Sequence, residues 1–256
     1  MKSLLRILLP IIALSAPLAA EADAIIAKAR SYLGSEQALQ AVRSVHYKGT
    51  LTSTVAPADV EPRVDVASIE IIFAKPYFQK IIINQAGDAA NEVPGKIEVT
   101  ALDDYEAWQR IENPLDASQW RMTLLDTAQI RRLRANTAEN LAFFSGRGST
   151  VTDMGVVSTD DGKLHKVVYD HGYGISFTRF FDPQTGRLVI SQTDNGAIIR
   201  EEGENRISGV RFPGEVTTIS QRPDGGTTTV NVVFDSVTVN ETFPPTAFRV
   251  PSVTNP

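Results

Sequence analysis

The feature that most constrains this chain is a rhythm. Apolar residues recur at every second position in short stripes, and turn-forming pairs cut the stripes apart along most of the sequence. Ile69, Ile71 and Phe73 make one stripe. Ile97, Val99 and Ala101 make another, alternating with Lys96, Glu98 and Thr100. Ile175, Phe177 and Phe181 follow, interrupted by Arg179, and Val230, Val232 and Phe234 come last. A period of two puts alternate side chains on opposite faces of a strand. Between the stripes stand Asp103-Asp104, Asp161-Gly162, Thr185-Gly186, Asn195-Gly196 and Asp224-Gly225-Gly226. Asn-Gly is the strongest hairpin signal among them, because both turn positions want positive φ. Turns at a spacing of roughly 8 to 12 residues describe an antiparallel meander, and about ten or eleven strands are expected.

Helical periodicity interrupts this pattern twice. Ile25, Ile26, Ala29 and Leu33 lie on one helical face, with Asp23 placed to cap the start and Gly34 to stop the helix. Ser35 restarts a short helix whose inner face is Ala38, Leu39 and Val42. Later, Asp126 and Gln129 have capping-box character, with Leu125 and Ile130 where a hydrophobic staple would sit. Ile130, Leu133, Thr137, Leu141 and Phe144 then share one face up to Ser145-Gly146. The opposite face, with Arg131, Arg132, Arg134, Glu139 and Asn140, reads as solvated surface, and its arginines are candidates for docking a partner. The long loop candidates run from Ala56 to Arg63 and from Ala86 to Gly95.

The chain opens with Lys2 and Arg6, an apolar run from Ile7 to Leu14, and small residues up to Ala20-Glu21-Ala22. This is the pattern of a secretory signal peptide, cleaved after Ala20 or Ala22. The run is too short for a spanning helix of ~20 residues. Residues 1–20 are therefore expected to be a leader and 21–256 a single exported domain, located in the periplasm. The net charge of −5 becomes more negative once Lys2 and Arg6 leave with the leader, which excludes nucleic acid as a partner. With no cysteine, the chain forms no disulfide, thiolate nucleophile or sulfur metal site.

Sequence motifs for catalysis are missing: there is no nucleophile elbow, no H-E-x-x-H and no phosphate-cradling loop. His46, His165 and His171 are too scattered for a metal cluster. His165, on the same side of a strand as Val167 and Tyr169, reads as a satisfied half-buried histidine. His171 reads as a turn residue beside Asp170. The adjacent acids Asp103-Asp104, Asp160-Asp161 and Glu201-Glu202 read as turn and edge residues, since neighbours on a strand face opposite ways. No cofactor, no metal and no enzymatic activity are expected.

Several strands carry apolar residues on both faces: Ile71-Ile72-Phe73, Ile81-Ile82-Ile83, Phe180-Phe181 and Val232-Val233-Phe234. Both faces must then be covered. Two arrangements satisfy this. One is a sheet with helices on one side and neighbouring elements on the other. The other is a strongly curved sheet whose concave side, partly capped by helices, holds a hydrophobic ligand, each buried methylene contributing about 0.8 kcal/mol.

The order of parts resembles the LolA-like periplasmic lipoprotein carriers. Local matches are Phe73-Ala74-Lys75-Pro76-Tyr77-Phe78-Gln79, then Asp103-Asp104 with Trp108 and Asn113-Pro114, then the hairpin from Phe181 to Leu188 with its D-P-x-T-G-x-L grammar, and the closing segment from Phe243 to Pro251. Two positions depart: Gln79 stands where many relatives have arginine, and Asp104 where they have glycine.

The resemblance implies an α+β, mainly β fold. This is a strongly curved antiparallel half-barrel closed by an N-terminal helix pair and one long internal helix, around an apolar cavity that accepts lipid chains. Alternation and helix faces then give Phe73, Phe78, Ile81, Ile83, Val99, Trp108, Ile130, Leu133, Phe177 and Phe234 as candidate lining residues. The implied function is non-enzymatic carriage of a lipid or lipoprotein acyl chain by a monomer that works with the inner- or outer-membrane lipoprotein machinery. The loop from Ala86 to Gly95 would act as a gate. Two other readings stay open: a lipid-sensing or docking module with the same fold, or an envelope hydrolase, which would need His165 or His171 beside a carboxylate in a cleft.

Overall fold

The computed structural model of the chain describes residues 18–58, 60–87 and 94–252. The expected leader lies outside the described residues up to residue 17, as do residues 88–93 of the expected gate. Two helices come first, α1 (Leu18–Leu33) and α2 (Glu36–Ala41). A meander follows: β1 (Ser44–Ala56), β2 (Arg63–Ala74), β3 (Phe78–Gln85), β4 (Lys96–Asp103), β5 (Glu106–Asn113) and β6 (Asp116–Leu124). Helix α3 (Thr127–Ala142) leads to a second meander, β7 (Thr150–Thr159), β8 (Gly162–Asp170), β9 (Ser176–Phe181), β10 (Leu188–Thr193) and β11 (Ile198–Glu202). The short hairpin β12 (Asn205–Ile207) and β13 (Val210–Phe212) stands apart, before β14 (Glu215–Gln221) and β15 (Thr227–Val239).

Thirteen strands form one open antiparallel sheet in the order β6-β5-β4-β3-β2-β1-β15-β14-β11-β10-β9-β8-β7, and β12 and β13 form a separate pair. The two meanders are joined where the last strand pairs with the first, Val45 opposite Val239 down to Ala56 opposite Thr227. The sheet has more strands than the ten or eleven expected. Right-handed twist accumulated over so many strands curls the sheet into a half-barrel. Gly49 sits where β15 has an extra residue, between Phe234 and Ser236; a Cβ there would meet the Val233 carbonyl oxygen at 2.1 Å.

The helices fill the concave side, and local chemistry explains how each one seats. The capping box at α3 forms as its residues predict: Asp126 Oδ1 accepts from the Gln129 amide (2.8 Å) while Gln129 Oε1 accepts from the Asp126 amide (2.9 Å). Ser35 caps α2 by accepting from the Ala38 amide at 3.2 Å. Asp23 is not a cap, since α1 begins five residues earlier at Leu18. Helix α1 lies on the turn between β9 and β10. A Cβ on Gly186 would meet the Lys28 carbonyl carbon at 2.6 Å, and Lys28 Nζ donates to the Pro183 carbonyl at 2.8 Å. The D-P-x-T-G hairpin is thus the seat of α1.

Two apolar clusters result. One joins Ile25 and Ala29 of α1 to Val167, Tyr169, Phe177, Phe181 and Leu188 of the second meander. The other joins Leu39 and Val42 to Val45, Tyr47, Phe73, Leu141, Val210 and Phe212.

Register assigns the faces. Tyr47 pairs with Ile71, and Ile71 with Ile81, so these residues share the concave face with Phe73 and Ile83. Phe78, Val99 and Trp108 have the opposite parity and lie on the convex face. The closing segment covers that face: Phe248 stacks on Phe78 at 5.3 Å, and its carbonyl accepts from Trp108 Nε1 at 2.9 Å. His46, also convex, ties the segment down between Glu70 (2.7 Å) and Glu241 (2.6 Å). Apolar residues on both faces therefore have two different covers, helices inside and the chain's own tail outside.

Candidate ligand-binding cavity

Between α3, the β12–β13 hairpin and the concave sheet the protein leaves a cavity of about 300 Å³. That is the low end of the range, roughly 300 to 1,000 Å³, for sites that enclose a small organic ligand. One arc of its wall is apolar and aromatic, with Tyr47, Ile71, Phe73, Ile81, Val232 and Phe234 from the first meander and its partner strand β15. Tyr47 and Phe234 stack at 4.6 Å, and Phe212 closes the far side 6.2 Å from both Tyr47 and Phe143.

Of the ten residues expected to line such a cavity, Phe73, Ile81, Phe177 and Phe234 do so. The other six are elsewhere. Phe78, Val99 and Trp108 are on the convex face, because alternation gives the period of a strand and not which side curves inward. Ile83 is concave but beyond the cavity, paired with Ile69 and Glu98. Ile130 and Leu133 are half-buried in the first half of α3. The helix lines the cavity with Asn136, Glu139, Asn140 and Phe143, one face round from the stripe the sequence singles out.

Helix α3 ends in a way its periodicity does not show. Phe143 and Phe144 both adopt left-handed backbone conformations, at φ 47° and 65°. Bulky residues rarely do so, and here both rings are buried against the cavity wall. Arg30 of α1 holds this end, donating to the carbonyls of Ala142 (2.9 Å) and Phe143 (2.6 Å), which places a cation at the negative end of the helix. In the middle of the helix, Gln79 is buried beneath it, its Oε1 accepting from Asn136 Nδ2 (3.2 Å) and lying 3.1 Å from the Thr137 hydroxyl.

The face expected to be solvated is laced to hairpin tips of both meanders. Arg131 stacks over Tyr173 at 3.6 Å, and Arg132 makes a two-pronged pair with Asp194 at 2.8 and 2.7 Å. Arg134 lies between Tyr77 and Tyr105, at 4.1 and 4.6 Å, and donates to both the carbonyl and the carboxylate of Asp104. Asp104 itself has φ 52°. The residue standing in for a turn glycine therefore holds an arginine as well.

The second arc of the cavity is charged. Glu139, placed by the sequence on the solvated face, is 5% exposed. One of its oxygens accepts from Arg179 Nε (3.1 Å) and Nη2 (2.8 Å), and the other meets His171 Nε2 at 2.9 Å. Burial pushes this carboxyl up, but Arg179 and His171 outweigh it and hold it below the ordinary carboxylate value. His171 does lie in the β8–β9 loop, but its ring pairs with Glu139 and not with Asp170, which instead accepts from the Gly172 amide at 2.7 Å. Both oxygens of Glu139 are satisfied, and among the described residues no hydroxyl bonds to His171. His165 is likewise tied to Asp153 at 2.7 Å. Among the described residues there is no group of three or more His, Asp or Glu side chains placed to hold a metal ion.

Glu201 contrasts with Glu139. It faces the cavity from β11, its neighbour across the ladder being Val216. The residue is exposed, and the partial desolvation of its carboxyl pushes it up, with Arg179 opposing only in part. Among the described residues the Glu201 carboxylate makes no hydrogen bond or ion pair. Glu201 and Glu202 are both exposed, at the end of β11, which lies inside the sheet between β10 and β14.

Comparison with solved structures bears on the fold. The chain is similar to a LolA superfamily protein from Nitrosomonas europaea, with a TM-score of 0.54 and 13% identity over 90% of this chain and 97% of that one. It is also similar to a DUF1329 family protein from Desulfovibrio piger (TM-score 0.55, 8% identity, 89% of this chain and 97% of that one). A domain described as an outer membrane lipoprotein-sorting protein, from Vibrio parahaemolyticus, matches with a TM-score of 0.55 at 8% identity, again over 89% and 97%. No protein-family model matches the sequence, and no curated protein does. At these identities the likeness is one of fold: the chain carries the LolA-like open half-barrel.

Proposed function

We propose that this protein is a non-enzymatic carrier of the cell envelope that shields the acyl chain of a lipid or lipoprotein inside its half-barrel. The observation that supports this reading is the cavity itself, walled by aromatic and aliphatic side chains from both meanders and roofed by α3. Each methylene moved from water into such a wall contributes about 0.8 kcal/mol. A stretch of a single tail therefore offsets much of the cost of association. Among the described residues no helix is long and apolar enough to cross a membrane. The charged opening of the chain supports export, and structural neighbours described as lipoprotein-sorting proteins support a place in the envelope. The other two readings draw less support. The arginines that would dock a partner are engaged with Tyr173, Asp194 and Asp104, and although both histidines lie beside carboxylates, as a hydrolase would need, among the described residues no hydroxyl bonds to either ring.

The test is to fill the cavity without touching its charges. Val216→Phe places a ring in the space opposite Glu201. It is expected to weaken binding of dodecanol by about tenfold or more, which is 1.4 kcal/mol, while leaving the folded circular dichroism spectrum in place. Unchanged dodecanol affinity in a folded Val216→Phe protein, or no binding by the unsubstituted protein, overturns the reading.

A further inference from the structure

Four segments meet at one end of the half-barrel. The residue before β1 and the β2–β3 turn are joined where the Lys75 amide donates to the Arg43 carbonyl at 2.9 Å. The β4–β5 turn is added through the Asp104 amide, which donates to the Tyr77 carbonyl at 3.2 Å. The loop after α3 lies against the same place, since a Cβ on Gly148 would stand 3.5 Å from the Tyr77 hydroxyl. Arg43, Lys75 and Arg147 are thereby brought together.

Their charges are not compensated from within. Arg43 and Arg147 are exposed and Lys75 is half-buried. Among the described residues none of the three side chains makes a hydrogen bond or an ion pair. The acids nearby are engaged: Glu36 pairs with Arg30 at 2.6 Å, Asp104 pairs with Arg134, and Asp103 lies 3.6 Å from Arg249. Glu106, at the start of β5, adds one negative charge at the margin. Burial, together with Arg147, Arg43 and Arg30, holds the Lys75 ammonium below the ordinary lysine value. Like charges held this close repel, and an anion placed among them relieves the repulsion. In a chain of net charge −5 the surplus is local, so it gives the molecule one face that an anionic surface attracts.

The segments that carry these cations also wall the cavity. Tyr47 follows Arg43, Phe73 precedes Lys75, and Phe143 precedes Arg147, each within four residues. Whatever binds the cations is held beside those segments.

We propose that this end of the half-barrel, through Arg43, Lys75 and Arg147, docks the protein on the surface of a bilayer that contains acidic phospholipids, whose phosphates take the place of the missing counter-charges. The inference goes beyond the carrier reading by naming the face turned to the membrane, and it stands or falls separately. Each basic residue near such a surface strengthens binding by about fivefold, so the three together give about a hundredfold.

Sedimentation with vesicles of phosphatidylcholine and phosphatidylglycerol in equal amounts, against phosphatidylcholine alone, tests this on the mature chain. Binding is expected to the mixed vesicles only, and to fade in about 1 M sodium chloride, where the Debye length is about 3 Å. Combining Arg43→Gln, Lys75→Gln and Arg147→Gln should weaken it about a hundredfold while dodecanol still binds. Combining Arg63→Gln, Arg121→Gln and Lys163→Gln removes the same charge from exposed sites elsewhere, and should weaken it by about threefold or less. The three single variants at the basic end, each expected to lose about fivefold, decide the matter if the triple one does not fold. No binding to mixed vesicles, or equal losses from the two triple variants, overturns the proposal. So does displacement by inorganic phosphate beyond that by chloride of equal ionic strength, which would make this a site for a small free anion. Dodecanol binding without vesicle binding removes this inference and leaves the carrier reading standing; vesicle binding without dodecanol binding does the reverse.

Discussion

Glu139 and Glu201 look into the same cavity from opposite sides, one on the roof helix and one on the sheet, and their surroundings differ in kind. Glu139 is enclosed by a guanidinium and an imidazole that occupy both of its oxygens. Glu201 is exposed, with Val216 across the ladder and, among the described residues, no hydrogen bond or ion pair to its carboxylate. A buried charge is costly unless paired and hydrogen-bonded. The first arrangement is thus a joint that fixes α3 and the β8–β9 loop to the sheet. The second is an exposed carboxylate that water can solvate, so it needs no partner in the protein. Lining one cavity does not make two carboxylates equivalent; the water each can reach decides what each needs.

The largest expected effect breaks the joint. Arg179→Leu leaves Glu139 buried with only His171 for company, and is expected to cost about 3–5 kcal/mol in urea unfolding. Adding Glu139→Leu should recover a large part of that loss, since removing both partners costs less than stranding one. Equal losses from the single and double variants would show that Arg179 acts through its packing on Phe144 and Tyr169 instead.

A smaller effect of opposite sign separates the two carboxylates by pH. The Glu201 carboxyl is raised, so the folded state holds its proton more tightly than the unfolded chain does. The stability this contributes is present below the ordinary value of 4.5 and is lost as pH rises through the folded value. The Glu139 carboxyl is lowered, so its contribution is present above 4.5 and is lost as pH falls through its own folded value. Glu201→Gln is therefore expected to stabilise the protein only slightly at neutral pH, by at most about 0.5 kcal/mol because solvent screens an exposed group, with the gain vanishing in acid below 4.5. A gain that persists in acid would mean that shape, not charge, was at fault at this position.

A comparably small effect gives the scale for a solvated pair on the same helix. Arg132→Ala removes the two-pronged contact with Asp194 at the rim. It should cost about 1 kcal/mol or less, a loss that falls further in high salt. A loss as large as that of Arg179→Leu would make the rim arginines, and not the buried triad, the main fastening of α3.

Much of the fold is legible along the chain. The capping box at Asp126 and Gln129, the cap at Ser35, and the hairpins at Asn195-Gly196 and Asp224-Gly225-Gly226 form where local chemistry puts them. Each is decided by a few consecutive residues. The cavity wall is legible only in part. Phe73, Ile81, Phe177 and Phe234 show as apolar strand positions, but so do Val99 and Trp108, which lie on the convex face, Trp108 under the tail. The polar arc left one signal, Arg179 interrupting the apolar stripe of Ile175, Phe177 and Phe181. Glu139, His171 and Glu201 come from a helix, a loop and another strand, and each is ordinary in its own neighbourhood.

The sequence by itself determined the elements, their turns and their periods, because those depend on backbone preferences and on which residues repeat at two or at 3.6 positions. The tertiary structure alone decided which face of each strand curves inward, since shifting attention by one residue exchanges the two faces and only the pairing of β1 with β15, together with the twist summed over thirteen strands, selects between them. For the same reason the pairing of Glu139 with Arg179 and His171 exists only in the folded molecule: the helix, the strand and the loop that carry them meet nowhere else.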